Sequence, residues 1–233
     1  MTKEESHEKV LKELQIEYEK EGIDLNVLES IWDGPSHWDK YENSIPRIVF
    51  LAKEAHSSFH PSTPRIVDDR FTKNIATWAS LIIATLNINS NKKDALSKDL
   101  QDTYDRIAIV EIKKIDEGRT SSSDSNIKKF AWIGREFLKQ QLEILEPNII
   151  VCLGTLDSFD IINNYSEEEK KLYEKKIYSN KNCNCWISNN VMVIDFFHAS
   201  NRKNKEEVLN FMSELIADKL VQSEYFRIMK IKK

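Results

Sequence analysis

Four short apolar runs punctuate the chain: Ile48-Val49-Phe50-Leu51, Ile107-Ala108-Ile109-Val110, Ile149-Ile150-Val151-Cys152-Leu153 and Val191-Met192-Val193-Ile194. Each is rich in β-branched residues and continuous rather than alternating, as strands are when a parallel sheet buries both their faces. Between the runs, apolar residues recur at helical spacing. Ile75, Trp78, Ala79, Ile82 and Ile83 do so over 71–86; Phe130, Ile133, Phe137, Leu138, Leu142 and Leu145 over 126–146; Val208, Leu209, Met212, Leu215 and Ile216 over 204–221. Strand alternating with helix implies crossover connections and helices on both faces of a sheet. The pattern therefore predicts an α/β fold, a three-layer α/β/α sandwich around a central four-stranded parallel sheet. Val10, Leu11, Leu14 and Tyr18, set among charges, predict an amphipathic helix over 3–21. Asp33-Gly34-Pro35-Ser36 breaks the chain after it, between Trp32 and Trp38. The whole chain, 1–233, reads as one domain, with 1–33 a helical extension and 46–220 the core.

Composition narrows the setting. The 233 residues are 40% hydrophobic and 31% charged, which is globular rather than disordered. No run approaches the roughly 20 apolar residues of a membrane helix, and Met1-Thr2-Lys3-Glu4-Glu5 lacks the basic-then-apolar pattern of a secretion signal, so secretion is not expected. Three cysteines make no even disulfide framework. A cytoplasmic protein without a membrane partner, and without an evident obligate protein partner, is expected. The net charge of −4 argues against nucleic acid until its distribution is considered. Residues 1–33 hold ten acids and four lysines, so the remaining chain is +2, and 106–140 carry eight Lys/Arg against five acids. A local basic surface can bind phosphates on an acidic protein; the plainer reading of these lysines is a solvated face.

In open α/β sheets, ligands collect outside the carboxyl ends of the strands. The residues following the four runs are Ala52-Lys53-Glu54-Ala55-His56, Glu111-Ile112-Lys113-Lys114, Gly154-Thr155, and Asp195-Phe196-Phe197-His198-Ala199-Ser200-Asn201. Two carboxylates, several lysines, a glycine turn and a histidine would meet on one rim. Thr120-Ser121-Ser122-Ser123-Asp124-Ser125 reads as a polar loop beside it.

These rim residues resemble the uracil-DNA glycosylase superfamily, most nearly its branch that often carries an iron–sulfur cluster. Lys53-Glu54-Ala55-His56-Ser57 stands where that branch has Gly-Glu-Ala-Pro-Gly, and Glu111-Ile112-Lys113-Lys114 where it has Asn-Val-Val-Lys. Leu145-Glu146-Pro147-Asn148 leads into the third run as in the family, and His198-Ala199-Ser200 stands for His-Pro-Ser. The likeness spans roughly 46–220. His60-Pro61-Ser62 spells the last motif but follows the first run, so its place is wrong. The cysteines do not supply four cluster ligands, and Cys183-Asn184-Cys185 is too sparse for zinc; no cofactor or metal is expected.

The resemblance implies a monofunctional DNA glycosylase that everts a base and hydrolyses its N-glycosidic bond. Glu54 would position water and stabilise the cationic sugar, and His198 would donate to the departing base. Read as residues alone, the first is also a plausible surface ion-pair carboxylate and the second a satisfied buried histidine. Phe71 or Phe59 would stack on the base, core packing being the alternative for each. Lys53, His56, Lys113, Lys114, Arg119, Arg202 and Lys203 would hold the DNA backbone. Ser200 and Asn201 would do so as well, or would cap the following helix. Glu111 departs most tellingly: an ionised carboxylate only accepts, so it suits a cytosine amino group where asparagine suits uracil. A modified cytosine is the expected base, in repair or in defence against phage DNA; equally, Glu111 could pair with Lys113 or Lys114. A nucleoside- or nucleotide-processing hydrolase on the same fold and a non-catalytic binding protein are the competing readings.

Overall fold

A computed structural model describes residues 1–23, 33–54, 70–86, 99–114, 122–166, 168, 176–179, 183–198 and 205–231. Its elements in chain order are α1 (Lys3–Lys20), β1 (Gly34–Pro35), α2 (Trp38–Glu42), β2 (Ile48–Glu54), α3 (Arg70–Leu86), α4 (Leu100–Asp105), β3 (Ile107–Lys113), α5 (Asp124–Ile133), α6 (Arg135–Leu145), β4 (Ile149–Leu153), α7 (Leu156–Asn163), β5 (Tyr178–Ser179), β6 (Asn184–Ser188), β7 (Val191–Phe196), α8 (Lys205–Ala217) and α9 (Lys219–Ile231).

Among the described residues the sheet is mixed and seven-stranded, in the order β1-β3-β2-β4-β7-β6-β5, around the central parallel strands that were expected. The four apolar runs lie side by side as β3, β2, β4 and β7 and pair parallel. Antiparallel strands extend them at both ends: β1 on β3, and β6 then β5 on β7. These additions escaped the pattern for physical reasons. β1 is a two-residue Gly-Pro strand inside what reads as a chain break, and β6 leads into β7 through a two-residue turn at Asn189 and Asn190, both with positive φ.

Strand alternation divides the core in two. Ile48, Phe50, Ile109, Val151 and Ile194 face a cluster completed by α3, α8 and α9. Val49, Leu51, Val110, Ile150 and Val193 face a second, completed by α1, α5, α6 and α7. Helices thus cover both faces. The N-terminal helix belongs to this second core, since Leu14 and Tyr18 are buried within it. Thr2 caps it through a reciprocal box with Glu5. Two long predicted helices are broken: 126–146 at Gly134, and the C-terminal segment at Asp218, whose carboxylate accepts from Leu220 and Val221 N–H and starts α9.

Candidate active site at the carboxyl ends of the strands

The ends of β2, β4 and β7 are drawn together by the turn after β4. Gly154 sits there at φ +67°, a conformation that favours glycine. Its N–H donates to Phe196 O at 2.8 Å, and the Thr155 hydroxyl donates to Leu51 O at 2.8 Å, tying the turn to β7 and β2. β2 and β7 flank β4, so their axes run about 10 Å apart, and β3 lies about 15 Å from β7.

His198 follows β7 by two residues and is half-buried. Its ring faces that of Phe71, in the first turn of α3, with centroids 6.0 Å apart and planes at 38°. Phe196, two residues before the histidine, is buried edge-on to Trp78 at 5.1 Å and lies 5.3 Å from Phe197. A Cβ at Gly154 would lie 3.5 Å from Lys53 Cε and 4.0 Å from His198 N, so the glycine is the floor between these two residues. Lys53 turns toward α5, where its ammonium pairs with Asp124 at 2.6 Å. The hydrogen bond and then the charge from Lys53 lower the Asp124 carboxyl. Lys53, Asp124, Gly154, Ser158 and Asp195 line a cavity of about 270 Å³. Burial raises the Asp195 carboxyl.

The end of β3 is different in kind. Glu111 and Lys113 lie inside the strand rather than after it, Glu111 opposite Ala52 and Lys113 opposite Glu54. Lys113 is 0% exposed; its ammonium donates to Ser122 Oγ at 2.6 Å and lies 5.6 Å from the Phe130 ring centre. Lys114, 5% exposed, pairs with Asp33 and donates to the Glu111 carbonyl. Turned inward, neither ammonium is on the surface where a phosphate contact requires it, which corrects the expectation for both. Glu111 itself is 6% exposed, with its N–H donated to Asp33 Oδ1 at 3.0 Å. Gln141 Nε2 donates to Asp33 Oδ2 at 2.8 Å and lies 3.2 Å from His7 Nε2. Burial alone would raise the Asp33 carboxyl, but Lys114, His7 and Gln141 together hold it below its ordinary value.

The structure therefore brings together Lys53, Phe71, Gly154 and His198, with the backbone of Glu54 one strand away. Phe59, His56, Arg119, Ser200, Asn201, Arg202, Lys203 and the side chain of Glu54 lie outside the described residues. Sequence reasoning missed Asp33, Gln141 and His7; no local signal marks Asp33, whose partners Glu111 and Gln141 are 78 and 108 residues away.

Among the described residues, no three or more His, Cys, Asp or Glu side chains are grouped to hold a metal ion, and no helix is long and apolar enough to cross a membrane. No family model matches the chain, and no curated protein matches it.

Proposed function

We propose that the protein is a monofunctional DNA glycosylase of the uracil-DNA glycosylase type, acting on a modified cytosine. The observation that carries this reading is the Phe71–His198 ring pair beside the Gly154 floor, across β4 from the end of β2 at Glu54. An everted base stacks on Phe71, where an aromatic face can cover it without reading its identity. Glu54 orients a water and opposes the positive charge that develops on the sugar as the N-glycosidic bond lengthens. His198 donates a hydrogen bond to the base oxygen, onto which the electron pair left on the ring nitrogen is delocalised. Glu111 accepts from the exocyclic amino group and so disfavours uracil, whose O4 is itself an acceptor. The water oxygen bonds to the sugar C1′ as its proton passes to Glu54, and the base departs as an anion that takes a proton from solvent, leaving an abasic site in repair or in defence against modified phage DNA.

The test is incubation with DNA carrying uracil, modified cytosines or natural bases, followed by alkali. Strand breaks at one modified cytosine are expected, with Glu54→Gln and His198→Ala each slowing release by roughly 10²–10⁴-fold. Folded protein that leaves every substrate intact overturns the reading.

The burial of Lys113 and Lys114 favours one alternative, a hydrolase of free nucleosides or nucleotides from a cytoplasmic pool. It uses the same acid and histidine but needs fewer cations. Base release from free nucleosides, without salt-sensitive DNA binding, would select it.

A further inference from the structure

The outer side of β3 is covered only in part. β1 pairs with it at Ile109 and Ala108, and among the described residues no strand continues past Glu111 on that side. In an extended strand the N–H and C=O of one residue point the same way. An uncovered Glu111 would therefore leave a buried donor and a buried acceptor together, which is costly. Asp33, the residue immediately before β1, fills the gap. Its Oδ1 takes the Glu111 N–H at 3.0 Å, while the ammonium of Lys114 supplies the Glu111 carbonyl and pairs with the other Asp33 oxygen. One ion pair thus does for Glu111 what a neighbouring strand would do.

The pair is itself held from behind. Gln141 of α6 donates to Asp33, and its Nε2 lies beside His7 of α1. The His7 ring fills the space that a side chain at position 34 would need, 2.7 Å from an added Cβ. Asp33 and Lys114 side chains are 0% and 6% exposed. A buried ion pair adds little net stability over apolar packing, because desolvation offsets the attraction, but removing either partner leaves the other's charge buried and uncompensated.

We infer that Asp33 and Lys114 are positioning residues, which clamp the Glu111 peptide from both sides so that its carboxylate meets the base edge in one orientation, and so set base selectivity. The inference rests on Glu111 as the base reader proposed above. The N-terminal helix gains a role in consequence, since it backs the clamp through His7.

The decisive variant is Asp33→Asn, nearly the same shape, made in the wild-type and Glu111→Asn backgrounds. Two quantities are read: hydrogen exchange at the Glu111 amide, and the ratio of single-turnover rates on modified-cytosine and uracil DNA. Faster exchange at that amide is expected, with a fall of about tenfold in the ratio in the wild-type background and none where Glu111 is already Asn. An equal fall in both backgrounds, or an equal loss on both DNAs with the ratio kept, overturns the inference. Should Asp33→Asn not fold, the same comparison is made with Asp33→Leu/Lys114→Met, which keeps the space filled. If the wild-type protein releases no base, the proposed function has failed. The clamp is then judged by exchange alone, and an unchanged Glu111 amide in Asp33→Asn overturns it.

Discussion

The two ends of the rim use charge in opposite ways. At the end of β3, Asp33, Lys113 and Lys114 are turned inward and spent on the fold. At the ends of β2, β4 and β7, Lys53, Phe71, His198 and Asp195 are only part-buried, and Gly154 puts no side chain between Lys53 and His198. A buried ion pair holds the first end, and a cavity opens beside Lys53 and Asp195 at the second. Position after a strand therefore does not by itself mark a residue as functional. What separates the ends is whether a distant segment arrives to neutralise the charge, as residue 33 does for Lys114.

If that contrast holds, the largest effect should come from the closed end. Lys114→Met leaves the Asp33 carboxylate buried without its cation, and a loss of about 3–5 kcal/mol in urea unfolding is expected. A loss under about 1 kcal/mol would mean that water reaches the Asp33 carboxylate at the end of β3. Next comes acid sensitivity. Burial pushes the His7 imidazole down from its ordinary 6.5 to about 4, against the pull of Asp33 and with the help of Lys114. Between those values the unfolded chain holds a proton that the folded chain lacks. This contribution is complete above about pH 6.5 and is lost as the pH falls to 4, by about 3 kcal/mol in all. Unfolding curves across that window should show it, and His7→Gln should remove it. At the open end the effects are smaller. Gly154→Ala meets ordinary contacts and suffers mainly from its positive φ, so about 1–2 kcal/mol is expected from thermal unfolding. Smallest is Asp124→Asn: the Lys53–Asp124 pair is largely exposed on the aspartate side, and the change in stability should stay within about 1 kcal/mol and shrink in salt.

The same contrast explains what could be read in advance. The four parallel strands were legible because helices cover both their faces, which forces continuous apolar runs such as Ile149–Leu153. The glycine turn and the histidine were legible as positions, because strand ends converge in this architecture. β6 was not, since Cys185 and Trp186 are buried beside polar Asn184 and Ser188 and give no clean alternation. The fate of Lys113 and Lys114 was not legible either. A lysine bound for a phosphate and one bound for a buried aspartate look alike in sequence, and only tertiary pairing tells them apart.

The flanks of the sheet carry a consequence of their own. Among the described residues the outermost strands, Gly34–Pro35 and Tyr178–Ser179, are each two residues long, and proline has no N–H to give. A foreign chain seeking to zip onto either flank meets a stub, so growth into stacked ribbons is discouraged where open strands would invite it.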